Sequence, residues 1–125
     1  MQYTVESTEH RVSVVFEGVL NALDLIFMTR DQKYRQALQH CHQVLLDFSE
    51  VAGAQLSEQD TAGLAMLGKF DSNMAHGLHL VVVVRSGMSD SVGATVREIF
   101  SDSTWQVDIV DSPAQAELTL SLNIK

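Results

Sequence analysis

Apolar and polar positions alternate along the first stretch of the chain. Tyr3 to Ser7 reads as a short edge strand and Thr8-Glu9-His10 as a turn. Arg11 to Glu17 reads as a second strand, with Val12, Val14 and Phe16 on one face and Ser13, Val15 and Glu17 on the other. Gly18 is expected to end it. The period then changes. From about Asp24 to His40, the apolar residues Phe27, Tyr34, Leu38 and Cys41 recur at near-helical spacing, while Arg30, Asp31, Lys33 and Arg35 would face water. This predicts one long helix, starting between Asn21 and Leu25.

Val44, Leu45 and Leu46 follow in direct sequence within Gln43 to Phe48, the pattern of a strand buried on both faces. A loop is expected from there through Gly53. Ser57 is a good N-cap for a second helix, and Glu58 and Asp60 suit the positive end of its dipole. Leu64, Leu67, Phe70 and Met74 form its apolar stripe, and Gly77 closes it. His79 to Arg85, built on Val81-Val82-Val83-Val84, is the clearest strand. Either alternate pair of its valines would be buried, because helices cover both faces of a parallel strand. A third helix is predicted near Asp90 to Phe100 through Val92, Val96 and Ile99, then a strand from Gln106 to Val110. Ser112-Pro113-Ala114-Gln115 carries a capping serine, proline at the first helical position and glutamine three residues after the cap. The helix it starts would use Ala116, Leu118, Leu120 and Leu122.

The order is β-β-α-β-α-β-α-β-α. Strands alternating with helices imply an α/β fold: a mixed sheet of four or five strands, mostly parallel, with about four helices mainly on one face. No composition shift or repeat divides the chain, so residues 1–125 are expected to form a single domain.

Composition narrows the function. The 125 residues include 8 basic and 16 acidic ones, for a formal net charge of −8. Such a surface repels phosphate backbones, which argues against a nucleic-acid partner. Arg30, Lys33 and Arg35 form only a loose basic cluster on a solvated helix face. No apolar run approaches the roughly 18 residues of a membrane span. The N-terminus lacks the pattern of a signal peptide. One cysteine cannot form an internal disulfide, and together these features lead us to expect a cytoplasmic protein.

Three stretches carry a family resemblance. Val44-Leu45-Leu46-Asp47-Phe48-Ser49-Glu50-Val51 resembles a strand of the STAS superfamily that ends in Asp-Leu-Ser. Asp60-Thr61-Ala62-Gly63-Leu64 is similar to that family's Asp-Ser-Ser-Gly-Leu at the start of its second helix. Leu78-His79-Leu80-Val81-Val82-Val83 resembles its next strand. Arg97-Glu98-Ile99-Phe100 and Trp105-Gln106-Val107-Asp108-Ile109 fit the third helix and last strand. The resemblance covers nearly the whole chain and implies a STAS/SpoIIAA-like fold. It further implies a regulatory protein-interaction domain like an anti-sigma factor antagonist, with an anti-sigma or kinase-like protein as partner. It places partner contacts at Asp47, Ser49, Asp60, Thr61 and Gly63, and puts Thr61 where the family is phosphorylated. The chain departs from the family in having threonine there and a longer stretch between Asp47 and Asp60.

His40-Cys41-His42 has metal-ligand residue types, but neighbours on a helix end point about 100° apart and do not converge on one ion. His76 and His79 flank a turn and could approach each other. Nothing next to Cys41 marks it as an activated nucleophile, so a buried cysteine is expected. There is no Gly-x-Ser-x-Gly elbow and no phosphate-binding glycine loop. The expectation is therefore no enzyme, no cofactor and no metal. The alternative function is a SpoIIAA-like carrier of a small apolar ligand without phospho-control, its pocket lined by Leu64, Leu67, Phe70 and Met74. Spare apolar residues at Leu20, Leu23 and Ile26, with a short first strand, suggest a homodimer.

Overall fold

The computed structural model of the chain describes residues 2–55, 59, 63, 66, 77–84, 94, 96–98 and 105–121. Strands β1 (Gln2–Ser7) and β2 (Arg11–Asn21) form an antiparallel hairpin. Thr8 closes its turn: its N–H donates to the Arg11 carbonyl at 2.8 Å, and its hydroxyl oxygen accepts the Arg11 N–H at 3.2 Å. Then come α1 (Ala22–Arg30), α2 (Gln32–Leu38), β3 (Gln43–Gln55), β4 (His79–Val83), β5 (Gln106–Val110) and α3 (Pro113–Ser121). The five strands lie in the order β1-β2-β3-β4-β5, and β2 to β5 are parallel neighbours. Each parallel step needs a crossover. Gln59, Gly63 and Met66 are helical in the β3–β4 connection, as are Ala94, Val96, Arg97 and Glu98 in the β4–β5 connection. Both connections are where the sequence pattern places helices.

The sheet separates two cores. On one face Val12, Val14 and Phe16 of β2, Val44, Leu46 and Phe48 of β3 and Leu80, Val82 and Val84 along β4 meet Leu25 and Met28 of α1, Tyr34, Ala37 and Leu38 of α2, Val96 and Trp105. The rings of Phe16 and Phe48 lie 4.6 Å apart, centre to centre, at its middle. On the other face Val81, Val83 and Val110 meet Ala116 and Leu120 of α3, with Leu45 packed against them. Both alternate valine pairs of β4 are thus buried, as a parallel strand covered on two sides requires. α3 begins as its capping signals predict, with the Gln115 N–H donating to Ser112 Oγ at 3.1 Å.

Several expectations are corrected. The long helix is two helices. Asp31 adopts an extended conformation (φ −61°, ψ 128°) and serves both as the end of α1 and as the N-cap of α2. Its N–H donates to the Met28 carbonyl at 3.1 Å, its Oδ1 accepts the Lys33 N–H at 2.9 Å, and its Oδ2 accepts the Tyr3 hydroxyl at 3.0 Å. The break rotates the two stripes relative to each other, so Phe27 is 57% exposed while Tyr34, Leu38 and Cys41 are buried. Strand β2 does not stop at Gly18. That residue takes φ +86°, which glycine permits, and the strand continues to Asn21. β3 continues to Gln55 where a loop was expected, and β4 ends at Val83, short of Arg85. In α3, Leu118 is 61% exposed because only the Ala116–Leu120 spacing faces the sheet.

The Asp31 carboxylate ties α2 to β1 while its N–H closes α1. Asp31→Ala removes the cap of α2 and strands the Tyr3 hydroxyl, and should lower unfolding free energy in urea by about 1–2 kcal/mol. Tyr3→Phe should cost about 1 kcal/mol or less, and the double variant should cost less than the two single losses added.

Candidate functional site

Ligands and partners of α/β sheets are usually received beyond the carboxyl ends of the parallel strands. Here that end is shaped by irregular pairing of β2 with β3. Val15 pairs with Asp47 and Glu17 with Glu50, so Phe48 and Ser49 together stand opposite Phe16. This bulge leaves an amide without a ladder partner, and Asp47 supplies one: the Ser49 N–H donates to Asp47 Oδ1 at 2.8 Å. A second shift sets Gly18 against Val51 and Val19 against Gly53. Of the predicted partner-binding residues, Asp47 and Ser49 are therefore in direct contact, and Asp47 stands at the last rung β3 shares with β4. Both are half-buried.

The helix after β3 carries the next part of the surface. Gln59, Gly63 and Met66 are four and three residues apart, hence on one helical face, and all three are exposed, Met66 by 76%. A Cβ built on Gly63 would meet nothing within 4 Å. Asp60 and Thr61, and the pocket candidates Leu64, Leu67, Phe70 and Met74, lie outside the described residues.

At the opposite end of the sheet a polar row crosses four strands beneath the end of α3, and sequence reasoning missed it. Arg11 Nε donates to Gln43 Oε1 at 3.3 Å, and Arg11 Nη1 pairs with Glu117 Oε1 at 2.7 Å. Gln43 Nε2 donates to the Leu120 carbonyl at 3.0 Å, meeting one of the acceptors a helix end leaves open. His79 lies beside Gln43 on β4. Its Nε2 is 2.5 Å from Asp108 Oδ2, and Gln106 Nε2 also reaches that oxygen, at 3.3 Å. His79 is buried and held by a carboxylate of β5, while His76, which it could approach, lies outside the described residues. The signal available was Asp108, a charge in phase with Val110 on the α3 side of an apolar strand. Only the β4–β5 register reveals its partner. The buried His79 Nδ1 has no hydrogen-bond partner among the described residues.

Cys41 is buried, as expected, with its thiol 3.5 Å from the Thr8 carbonyl. Burial pushes that thiol up from its ordinary value, the reverse of nucleophile activation. His40 and His42 on either side are exposed. Among the described residues no group of three or more His, Cys, Asp or Glu side chains could hold a metal ion. No helix among them is long and apolar enough to cross a membrane.

The five-stranded mixed sheet, with α1, α2 and Val96 on one face and α3 on the other, has the arrangement of a SpoIIAA-like fold. A comparison with solved structures agrees. The chain is similar to the anti-sigma factor antagonist SpoIIAA in its unphosphorylated form, with a TM-score of 0.56 and 13% identity over 98% of this chain and 100% of that one. No protein-family model matches the sequence, and no curated protein matches it.

Two predictions follow from this geometry. Asp47→Ala should destabilise the domain by about 1–2 kcal/mol in urea unfolding, and Asp47→Asn, which keeps the acceptor oxygen, by well under half of that. Equal losses in the two variants would mean that charge, not the bulge amide, matters. The second concerns alkaline pH. Burial pushes up both the Cys41 thiol and the Tyr3 phenol, and for Tyr3 the bond to Asp31 adds to the rise. Groups raised in the folded state stabilise fully below their unfolded values, and that stability is lost as pH climbs through the folded ones. Stability should therefore start to fall near pH 9.0 and fall further above pH 10.0, the ordinary values of the two groups. Cys41→Ala should abolish the earlier part of the decline in melting curves.

Proposed function

We propose that this chain is a regulatory protein-binding domain acting as an anti-sigma factor antagonist does, by occupying a protein partner. Its work is binding, with no turnover. The observation that carries the reading is the end-to-end likeness of its fold to SpoIIAA, an anti-sigma factor antagonist. The exposed face of Gln59, Gly63 and Met66 suits docking. Glycine lets a partner backbone come close, and a flexible methionine adapts to its contour. Asp47, Ser49, Asp60 and Thr61 complete the contact set by resemblance, and an anti-sigma or kinase-like protein is the partner the reading names.

Control would act at Thr61. A phosphate there brings about −1.5 to −2 charges next to Glu58 and Asp60. That charge would act on the partner's docking rather than on the fold.

The test uses the purified chain as bait in native extract, followed by titration of the recovered partner. A kinase-like anti-sigma protein is expected. Gly63→Arg should weaken its binding by about 100-fold or more with the melting temperature unchanged, because the site has open space for the side chain. Thr61→Asp should weaken it by at least about tenfold while Thr61→Ala binds like the parent. If Gly63→Arg binds as tightly as the parent, the docking surface is elsewhere. If both Thr61 variants do so, Thr61 is no switch.

A further inference from the structure

The last helix covers only part of its face of the sheet. α3 packs on β3, β4 and β5, and reaches β2 at Arg11 through Glu117. Beyond Arg11 the same face of β1 and β2 is open. Thr4, Glu6, Val15 and Glu17 are exposed and Ser13 is half-buried, while Leu45 of β3 borders the core under α3. Val15 is 36% exposed. A parallel pair such as β2–β3 is normally covered on both faces. Neighbouring strands lie about 4.8 Å apart, so β2 is about 10 Å from β4. Helices packed side by side are about 8–10 Å apart. The open face therefore has the width of one helix set beside α3.

Its free charges have one sign. Across the rungs Glu6 pairs with Ser13 and Ser13 with Leu45, Thr4 pairs with Val15 and Val15 with Asp47, and Glu17 pairs with Glu50. The charged side chains described on this face are Glu6 on β1, Arg11 and Glu17 on β2, Asp47 and Glu50 on β3, and Glu117 on α3. Arg11 is taken by Glu117 at 2.7 Å, and the Asp47 carboxylate accepts the Ser49 N–H. Glu17 and Glu50 are both exposed and stand directly opposite each other on neighbouring strands. Like charges so placed repel and cost stability. Among the described residues neither forms an ion pair.

We propose that this face receives a basic amphipathic helix of a partner protein, lying beside α3 with its apolar side on Val15 and Leu45. Its lysines or arginines stand over Glu6 near one end and over Glu17 and Glu50 near the other. From Ser13 to Glu17 the strand spans about 13 Å, which is two to three turns of a helix. Charge selects the occupant. A second copy docking by the same face would set its own Glu6, Glu17 and Glu50 against these. Nucleic acid and anionic lipid are repelled in the same way. A metal ion would leave Val15 uncovered, and among the described residues no group of three carboxylates could hold one. A cationic helix meets both demands, covering β2 and relieving the repulsion between Glu17 and Glu50. Gln59, Gly63 and Met66 of the docking surface proposed above take no part, so the two surfaces stand or fall separately.

Calorimetric titration of the full chain with a synthetic peptide tests it. The probe is an amidated leucine–lysine peptide of about 18 residues, with leucine at i, i+3, i+4 and i+7. The parent should bind it with a dissociation constant of about 50 µM or tighter, weakening at least about tenfold from about 0.05 M to about 0.5 M NaCl. Backbone amides of Thr4, Ser13, Val15 and Leu45 should shift in NMR spectra of the complex. Glu17→Lys and Glu50→Lys should each weaken binding by about tenfold or more. Neither should lower the melting temperature, since each replaces a repulsion across the strands with an attraction. Glu9→Lys, in the hairpin turn, makes the same change of net charge and should bind within about twofold of the parent. Gly63→Arg should also bind like the parent. A parent with no saturable binding at about 1 mM peptide overturns the proposal. So does parent-like binding by Glu17→Lys and Glu50→Lys, equal weakening by Glu9→Lys, or weakening by Gly63→Arg. Self-association of the parent that Glu17→Lys dissolves overturns it too, by making a second copy the occupant.

Discussion

Burial of β4 on both faces is the constraint on which the rest of the fold depends. All five of its residues are buried, with Leu80 and Val82 facing one core and Val81 and Val83 the other. Each such side chain gives about 1.5–3 kcal/mol only if its own face is covered. One layer of helices cannot do this. α1 and α2 lie on the first face, against β1 and β2, with Val96 and Trp105 in the same core, and α3 must return across the second. Its contacts there are few, Ala116 and Leu120 against Val81, Val83 and Val110. The polar row of Arg11, Gln43 and Glu117 pins the same helix at its far end.

The bulge in β3 solves a second problem. Without it, alternation from Val44 through Leu46 and Phe48 would turn Glu50 into the core and Val51 out to water, since a one-residue slip exchanges the faces of a strand. One extra residue at Phe48-Ser49 reverses the phase: Val51 is fully buried and Glu50 is exposed. The cost is one unpaired amide, offset by the Asp47 carboxylate. An aspartate that resemblance marks for partner binding thus has a structural task as well. The prolonged β2–β3 pairing also accounts for the length between Asp47 and Asp60. The residues after the bulge continue β3 to Gln55 instead of forming a loop.

The two ends of the sheet differ in chemistry. At the start of the parallel strands, polar side chains are spent on one another: Arg11 on Gln43 and Glu117, His79 on Asp108. At the other end, Gln59, Gly63 and Met66 lie open on one helix face. Polar groups that are satisfied internally hold a fold together; unspent surface is what another chain can use.

How much was legible in advance follows from the range of each interaction. Local signals spoke plainly. Alternation gave β1, the start of β2 and β5; the unbroken valines gave β4; Ser112-Pro113 gave the start of α3. These depend on neighbours within four residues, and the order of elements was enough to suggest the SpoIIAA-like fold. The break at Asp31 was less visible, because part of what holds its carboxylate is Tyr3, 28 residues away. The bulge was hidden for the same cause: periodicity cannot show which residue of β3 has no partner on β2. The His79–Asp108 pair needed the register of β4 on β5. By itself, then, the sequence determined where chain segments turn helical or extended and which faces are apolar. Only the tertiary structure decided which polar residues meet and where a strand runs on past its neighbours, because those outcomes depend on contacts between residues far apart in the chain.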